Sequence, residues 1–152
     1  MAIKDSIAKA SSGRALALEE ASEAMEEIAS GAATPSQIAA LAVALRMKGE
    51  TADEIAGFAR VMRREALPVK VSGDVVDTCG TGGDGSSSFN ISTIAALVAS
   101  GAGARVAKHG NRAMTSSCGS ADLLEALGVA IELQPQEVSA CVEQVGIGFM
   151  FA

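Results

Sequence analysis

The stretch GTGGDGSSSFNIST, running from Gly80 to Thr93, decides how the rest of the chain is read. Four glycines and a cluster of hydroxyl residues lead directly into an apolar helical pattern. Glycine lets the backbone come close to a ligand and adopt positive φ. The N–H groups at the start of the following helix, with its positive dipole end, attract anions. A second polar stretch, KHGNRAMTSSCGS from Lys108 to Ser120, adds the cations that the first one lacks. Together they predict a site for a phosphorylated ligand.

The sequence flanking these stretches places both on a βαβ unit. Val75 to Thr78 is a short β-rich run before the glycine loop. Ile91, Ile94, Ala95 and Val98 begin a helix that Gly101 and Gly103 close, and Arg105-Val106-Ala107 reads as a second strand. A strand, a crossover helix and a strand imply a parallel pair. Both polar stretches then lie at the carboxyl ends of strands, where open α/β sheets place ligands. Ser120 and Asp122 can cap a third helix, through Leu123, Leu124 and Leu127. Pro135 opens a fourth, with Val138, Cys141, Val142 and Val145 on one face. The run from Ile147 to Phe151 reads as a further strand, so the sequence is expected to be part of a larger α/β domain.

The first half reads as helices. Leu18, Ala21, Met25 and Ile28 recur at helical spacing after a short amphipathic opening from Ile3 to Ala10, and Gly31 stops them. Thr34-Pro35-Ser36-Gln37 is a capping box with proline at the first helical position. Thr51-Ala52-Asp53-Glu54 repeats the device. The predicted apolar faces are Ile38, Leu41, Ala42 and Leu45 on one helix, and Ile55, Phe58, Ala59 and Met62 on the next, which Pro68 ends. The expected organisation is a helical subdomain over 1–70 and a partial α/β domain over 71–152. The helical part carries no motif with chemical specificity and reads as a packing or dimerisation module.

Composition narrows the function classes. A net charge of −6 argues against a nucleic-acid-binding face but leaves room for a local basic pocket. Three cysteines, an odd number with no close pairing, make neither a disulfide framework nor a zinc pattern. No signal peptide and no membrane-length apolar run is apparent, so a cytoplasmic protein is expected.

The glycine loop is not one of the common nucleotide motifs. Gly80, Gly82 and Gly85 satisfy G-x-G-x-x-G, but a dinucleotide fold expects an acid near the end of the next strand, where this chain has Lys108, His109 and Arg112. No Gly-Lys-Ser/Thr follows, so it is not a Walker loop. Asp84 beside a phosphate would be repulsive unless it orders the loop, meets a hydroxyl or works near a metal ion. Asn90 is either an N-cap or a donor, and the hydroxyls after it can cap the helix or complete a magnesium shell.

DTCGTGGDGSSSFNIST followed by AKHGNRAMTSSCGSADLLEALGV resembles the anthranilate phosphoribosyltransferases, with the GTGGD and KHGNR signatures in order and at the family's spacing. ATPSQIAALAVALRMKGET and the closing GIGFMFA are similar to that family too. The resemblance implies the fold shared with pyrimidine nucleoside phosphorylases: a small helical domain hinged to a larger α/β domain, commonly in a homodimer formed through the helical part. It implies transfer of a phosphoribosyl group from phosphoribosyl diphosphate to anthranilate, releasing diphosphate and requiring Mg2+. Gly80, Gly83, Asp84, Ser88, Asn90, Ile91, Ser92 and Thr93 would bind phosphoribosyl diphosphate, with Ser92 also a magnesium ligand.

From the second stretch the same resemblance adds Lys108, His109, Gly110, Asn111, Arg112, Ala113, Met114, Thr115, Ser116 and Ser120 to the phosphoribosyl diphosphate site. Gly80 and Asn111 would also touch anthranilate. The aniline nitrogen is already neutral at pH 7, so no indispensable acid or base is assigned, and His109 is a secondary candidate for a proton relay. Family members carry an acidic Asp-Glu pair for magnesium and an arginine for the anthranilate carboxylate beyond the last residue here. The chain alone is therefore expected to be inactive or nearly so. The competing readings are a pyrimidine nucleoside phosphorylase, which the KHGNR stretch disfavours, and a non-catalytic chain that binds a phosphorylated ligand or serves as a folding or dimer module.

Overall fold

A computed structural model describes residues 2–80, 89–113 and 118–152. The chain divides into two compact units, Met1–Ala66 and Leu67–Ala152.

The first unit consists of α1 (Ala2–Ser11), α2 (Leu18–Ala29), α3 (Pro35–Lys48) and α4 (Ala52–Glu65). Both sequence-read capping boxes are formed. Thr34 Oγ1 accepts the Gln37 amide at 3.3 Å while Gln37 Oε1 accepts the Thr34 amide at 2.8 Å, and Thr51 and Glu54 make the equivalent pair at the start of α4. α2 packs on α4, and α1 packs on α2 and α3. Ile3, Ala10, Leu16, Ala21, Ala24, Leu41, Ala44 and Leu45 form their core.

α4 buries only part of the expected face: Phe58 packs against the core, whereas Ala59 is exposed. Ile55 and Met62 are about three-fifths exposed, and the helix buries Glu54, Gly57 and Val61 instead. Two local facts explain the rotation. At Gly57 a Cβ would stand 2.5 Å from the Leu18 carbonyl oxygen and 2.8 Å from the Ala21 Cβ, so only glycine lets α2 come this close. Glu54 is fully buried because its carboxylate is fully used. Oε1 accepts the Leu16 amide at 2.8 Å, and Oε2 accepts the Thr51 amide at 2.8 Å and the Lys48 ammonium at 2.9 Å. Burial alone would push this carboxyl's pKa up; the two amides and the ammonium outweigh it and hold it below its ordinary value. On α3, Leu41 and Leu45 are buried as expected, whereas Ile38 and Ala42 face outward.

The second unit contains α5 (Ile91–Gly101), β1 (Val106–Gly110), α6 (Ser120–Ala126), α7 (Pro135–Val145) and β2 (Ile147–Phe151). β1 and β2 pair in parallel from Val106↔Ile147 to Gly110↔Phe151. The expected strand over 75–78 is reduced to one parallel bridge, Val76↔Val106. Its two bonds are Val76 N to Arg105 O at 2.9 Å and Ala107 N to Val76 O at 3.0 Å. The next donor along β1, the His109 amide, goes to the Asp77 side chain at 3.3 Å. A carboxylate there takes a bond that backbone would supply in a continued ladder.

α5 also turns a different face inward. Thr93 and Ala96 are buried against the sheet, while Ile91, Ile94 and Val98 are 45–67% exposed. The helix is apolar nearly all round, so periodicity cannot choose its inner side. Small residues there let the helix lie close to β1 and β2.

Candidate functional site

The site is assembled where β1 ends, α5 begins and α6 begins, all within the second unit. Lys108 belongs to β1 and is only 2% exposed. Its ammonium reaches Ser92 Oγ in the first turn of α5 at 3.3 Å. Burying an ammonium is costly unless it is paired, and a neutral hydroxyl is a weak partner for a full charge. Next to Ser92, Thr93 is 1% exposed and its Oγ1 has no hydrogen-bond partner among the described residues. Thr78 Oγ1 donates to the Ser92 carbonyl oxygen at 2.7 Å and ties the bridge segment to this turn. A buried cation and hydroxyls at a helix start favour an anion.

Asn90 precedes α5, but its side chain does not cap the helix. It donates instead to the Gly119 carbonyl oxygen at 3.0 Å, with Cys118 Sγ at 3.7 Å, and so links the beginning of α5 to the beginning of α6.

His109, next to Lys108 on β1, is exposed, and its Nδ1 lies 3.8 Å from Cys79 Sγ. Cys79 and Gly80 are exposed at the end of the segment before the glycine loop. Gly110 is buried in close contact with the Ser120 side chain, and a Cβ there would lie 2.9 Å from the Phe149 ring. Asn111 turns its own side-chain oxygen to the Arg112 amide at 2.7 Å, and its carbonyl oxygen accepts from Ser120 Oγ at 3.4 Å and the Ala121 amide at 3.2 Å. The Arg112 guanidinium forks onto Glu125, lies 3.5 Å from Asp122 Oδ1 and sits over the Phe151 ring. That pairing holds Glu125 below the usual carboxylate range.

Lys108, Ser92, Thr93, Asn90 and the 109–113 segment are therefore gathered around the same strand and helix ends. Ile91 is on the α5 surface. Gly83, Asp84, Ser88, Met114, Thr115 and Ser116 lie outside the described residues. Sequence reasoning did not single out Asp77, Thr78 or Cys79, which hold His109 and the α5 turn; their place just ahead of the glycine loop was the available signal. Among the described residues no cluster of three or more His, Cys, Asp or Glu side chains could hold a metal ion, and no helix is long and apolar enough to cross a membrane.

A helical unit followed by a parallel α/β unit, with a cationic strand end facing a helix start, is the arrangement of a family of transferases. The chain belongs to the glycosyl transferase family: its a/b domain matches residues 72–152 and its helical bundle domain matches residues 4–66. Among curated relatives, the chain is 62% identical over 152 residues to the anthranilate phosphoribosyltransferase of Roseiflexus castenholzii, matching all of this chain and 45% of the relative. The crystal structure of the Thermus thermophilus anthranilate phosphoribosyltransferase superposes with a TM-score of 0.81 at 50% identity, over 97% of this chain and 45% of that one. The Saccharomyces cerevisiae anthranilate phosphoribosyltransferase in complex with PRPP and Mg gives a TM-score of 0.80 at 28% identity, over 98% and 46% of the two chains. The chain thus spans a little under half the length of the relatives it matches.

Proposed function

We propose that the chain is the phosphoribosyl diphosphate-binding portion of an anthranilate phosphoribosyltransferase, which transfers the phosphoribosyl group to the anthranilate amine and releases diphosphate in tryptophan biosynthesis. The observation that carries this reading is the buried Lys108 ammonium, whose partner among the described residues is the Ser92 hydroxyl in the first turn of α5. An anion between strand end and helix start would satisfy that charge. The 62% identity to a relative of that name supports the same substrate class.

The residues suit a reaction driven by positioning. Lys108 and the α5 amides would stabilise negative charge developing on the departing diphosphate. Asn111 and Gly80 would line the acceptor side, where holding the amine against the ribose carbon replaces a bimolecular encounter. His109, exposed beside Cys79, is the secondary candidate to relay the proton that the amine would lose after bond formation.

Ser92 offers one oxygen to Mg2+, an ion that keeps several waters and prefers substrate phosphates. With the Lys108 ammonium 3.3 Å from that oxygen, a bare cation would be repelled, so the residues fit Mg2+ only when the diphosphate accompanies it. When bound, the ion would neutralise leaving-group charge.

The same reading includes a cytoplasmic setting and a homodimer built through the helical unit, where Val43, Met47, Ile55 and Met62 are more than half exposed. The direct test is calorimetric titration of the chain with phosphoribosyl diphosphate in Mg2+, followed by a turnover assay with anthranilate. Saturable binding is expected, with little or no turnover from this portion alone; absence of binding would sink the reading.

A further inference from the structure

Asp122 is the third residue of α6, and an acid there commonly reaches back to the amide just before the helix. It does so here, with Oδ2 accepting the Gly119 amide at 2.8 Å. The same oxygen also accepts the Ala113 amide at 2.9 Å, from nine residues upstream. A helix cap does not require this second bond. It draws together the two ends of the 113–119 segment on one carboxylate oxygen. Oδ1 faces the Arg112 guanidinium at 3.5 Å.

The neighbouring geometry leaves little freedom around that junction. A Cβ on Gly119 would stand 2.7 Å from the Asn111 carbonyl oxygen and closer still to Ala113 N, so the two sides of the junction touch backbone to backbone. Gly119 in turn presents its carbonyl oxygen to Asn90 at the start of α5. A carboxylate this near an anion site would ordinarily repel the ligand. Here both of its oxygens are engaged, by two amides and a guanidinium, which offsets its charge locally.

We propose that Asp122 is a positioning residue: by clasping the Ala113 and Gly119 amides it fixes Asn111 and Arg112 relative to Asn90 and the start of α5, without touching the ligand. The inference rests on the phosphoribosyl diphosphate reading for its consequence, but the clasp itself is independently measurable. Asp122→Asn keeps an oxygen that can accept both amides while losing the charge and the Oδ1 acceptor that faces Arg112; Asp122→Ala loses all of these.

The test compares Asp122→Ala, Asp122→Asn and the unaltered chain by amide hydrogen exchange at Ala113 and Gly119, and by titration with phosphoribosyl diphosphate and Mg2+. In Asp122→Ala, exchange at both amides should accelerate and the dissociation constant rise, each by roughly tenfold or more. Asp122→Asn should restore both to within about threefold. Asp122→Ser, whose shorter side chain cannot span both amides, serves if the alanine variant does not fold, and should behave like it. Continued protection of Ala113 in the alanine or serine variant overturns the clasp, as does an asparagine variant no better than alanine. Faster exchange with unchanged affinity overturns the positioning role. If the unaltered chain binds no phosphoribosyl diphosphate, the reading of the site fails, and the exchange rates still decide whether Asp122 holds the segment.

Discussion

The Lys108 ammonium lies 3.3 Å from Ser92 Oγ, joining a buried strand residue to the first turn of α5. Charge-assisted hydrogen bonds contribute about 1.5–3 kcal/mol. Lys108→Ala should therefore weaken phosphoribosyl diphosphate binding by roughly ten- to a hundredfold, with Ser92→Ala losing less. Isothermal titration in Mg2+ reads both; unchanged affinity in the two variants would place the site elsewhere.

Mg2+ should matter to Ser92 in particular. Chelating the ion should weaken phosphoribosyl diphosphate binding by the unaltered chain, and this dependence should be blunted in Ser92→Ala. The four titrations form a cycle whose coupling term reads the contact. A coupling of zero would remove Ser92 from the metal shell.

The Glu54 carboxylate closes the first unit from inside. Removing one partner of a buried pair typically costs about 3–5 kcal/mol. Glu54→Ala should fall in that range by urea denaturation, since it orphans the Leu16 amide and the Lys48 ammonium together.

Acid should undo the same interaction. Glu54 is held below its ordinary pKa of 4.5 in the folded chain, so its contribution is fully present above that value and disappears as pH falls through the lower folded value. Melting temperature between neutral pH and pH 3 should decline less steeply in Glu54→Gln than in the unaltered chain. Parallel profiles would show that other carboxylates govern acid sensitivity.

Gly57→Ala sets helix propensity against contact. Alanine is favoured over glycine within a helix by about 1 kcal/mol, but its Cβ would meet the Leu18 carbonyl oxygen at 2.5 Å, and backbone cannot yield as a flexible side chain does. A net loss of about 1–3 kcal/mol is expected. A stabilised variant would show that α2 and α4 separate freely.

Local signals were legible wherever one residue type has one mechanical use. The Thr34 and Thr51 boxes marked helix starts, Gly31 marked a stop, and Pro135 opened α7. The parallel arrangement followed from the same punctuation. Helix faces were harder to read, because α4 and α5 carry apolar residues on more than one side. What selects their inner faces is the size of Gly57 and Ala96 and the long-range partners of Glu54, none of which is a periodic signal. The strand over 75–78 shrank because Asp77 supplies an acceptor from its side chain. At the site, Lys108 and Ser92 were readable as types, whereas their pairing, and the reach of Asn90 to Gly119, depends on distant segments meeting.

Lys108 and His109 are consecutive on β1, and a strand sends consecutive side chains to opposite sides. The pairing of Lys108 with Phe149 across the sheet therefore acts as a phase setting for the chemistry. Sliding β1 by a single residue would put imidazole where the ammonium now stands and turn the charge away from α5. An insertion or deletion just before Val106 could leave helices and strands intact and still erase the anion site, so sequence length in that turn is a specification as strict as the identity of the lysine.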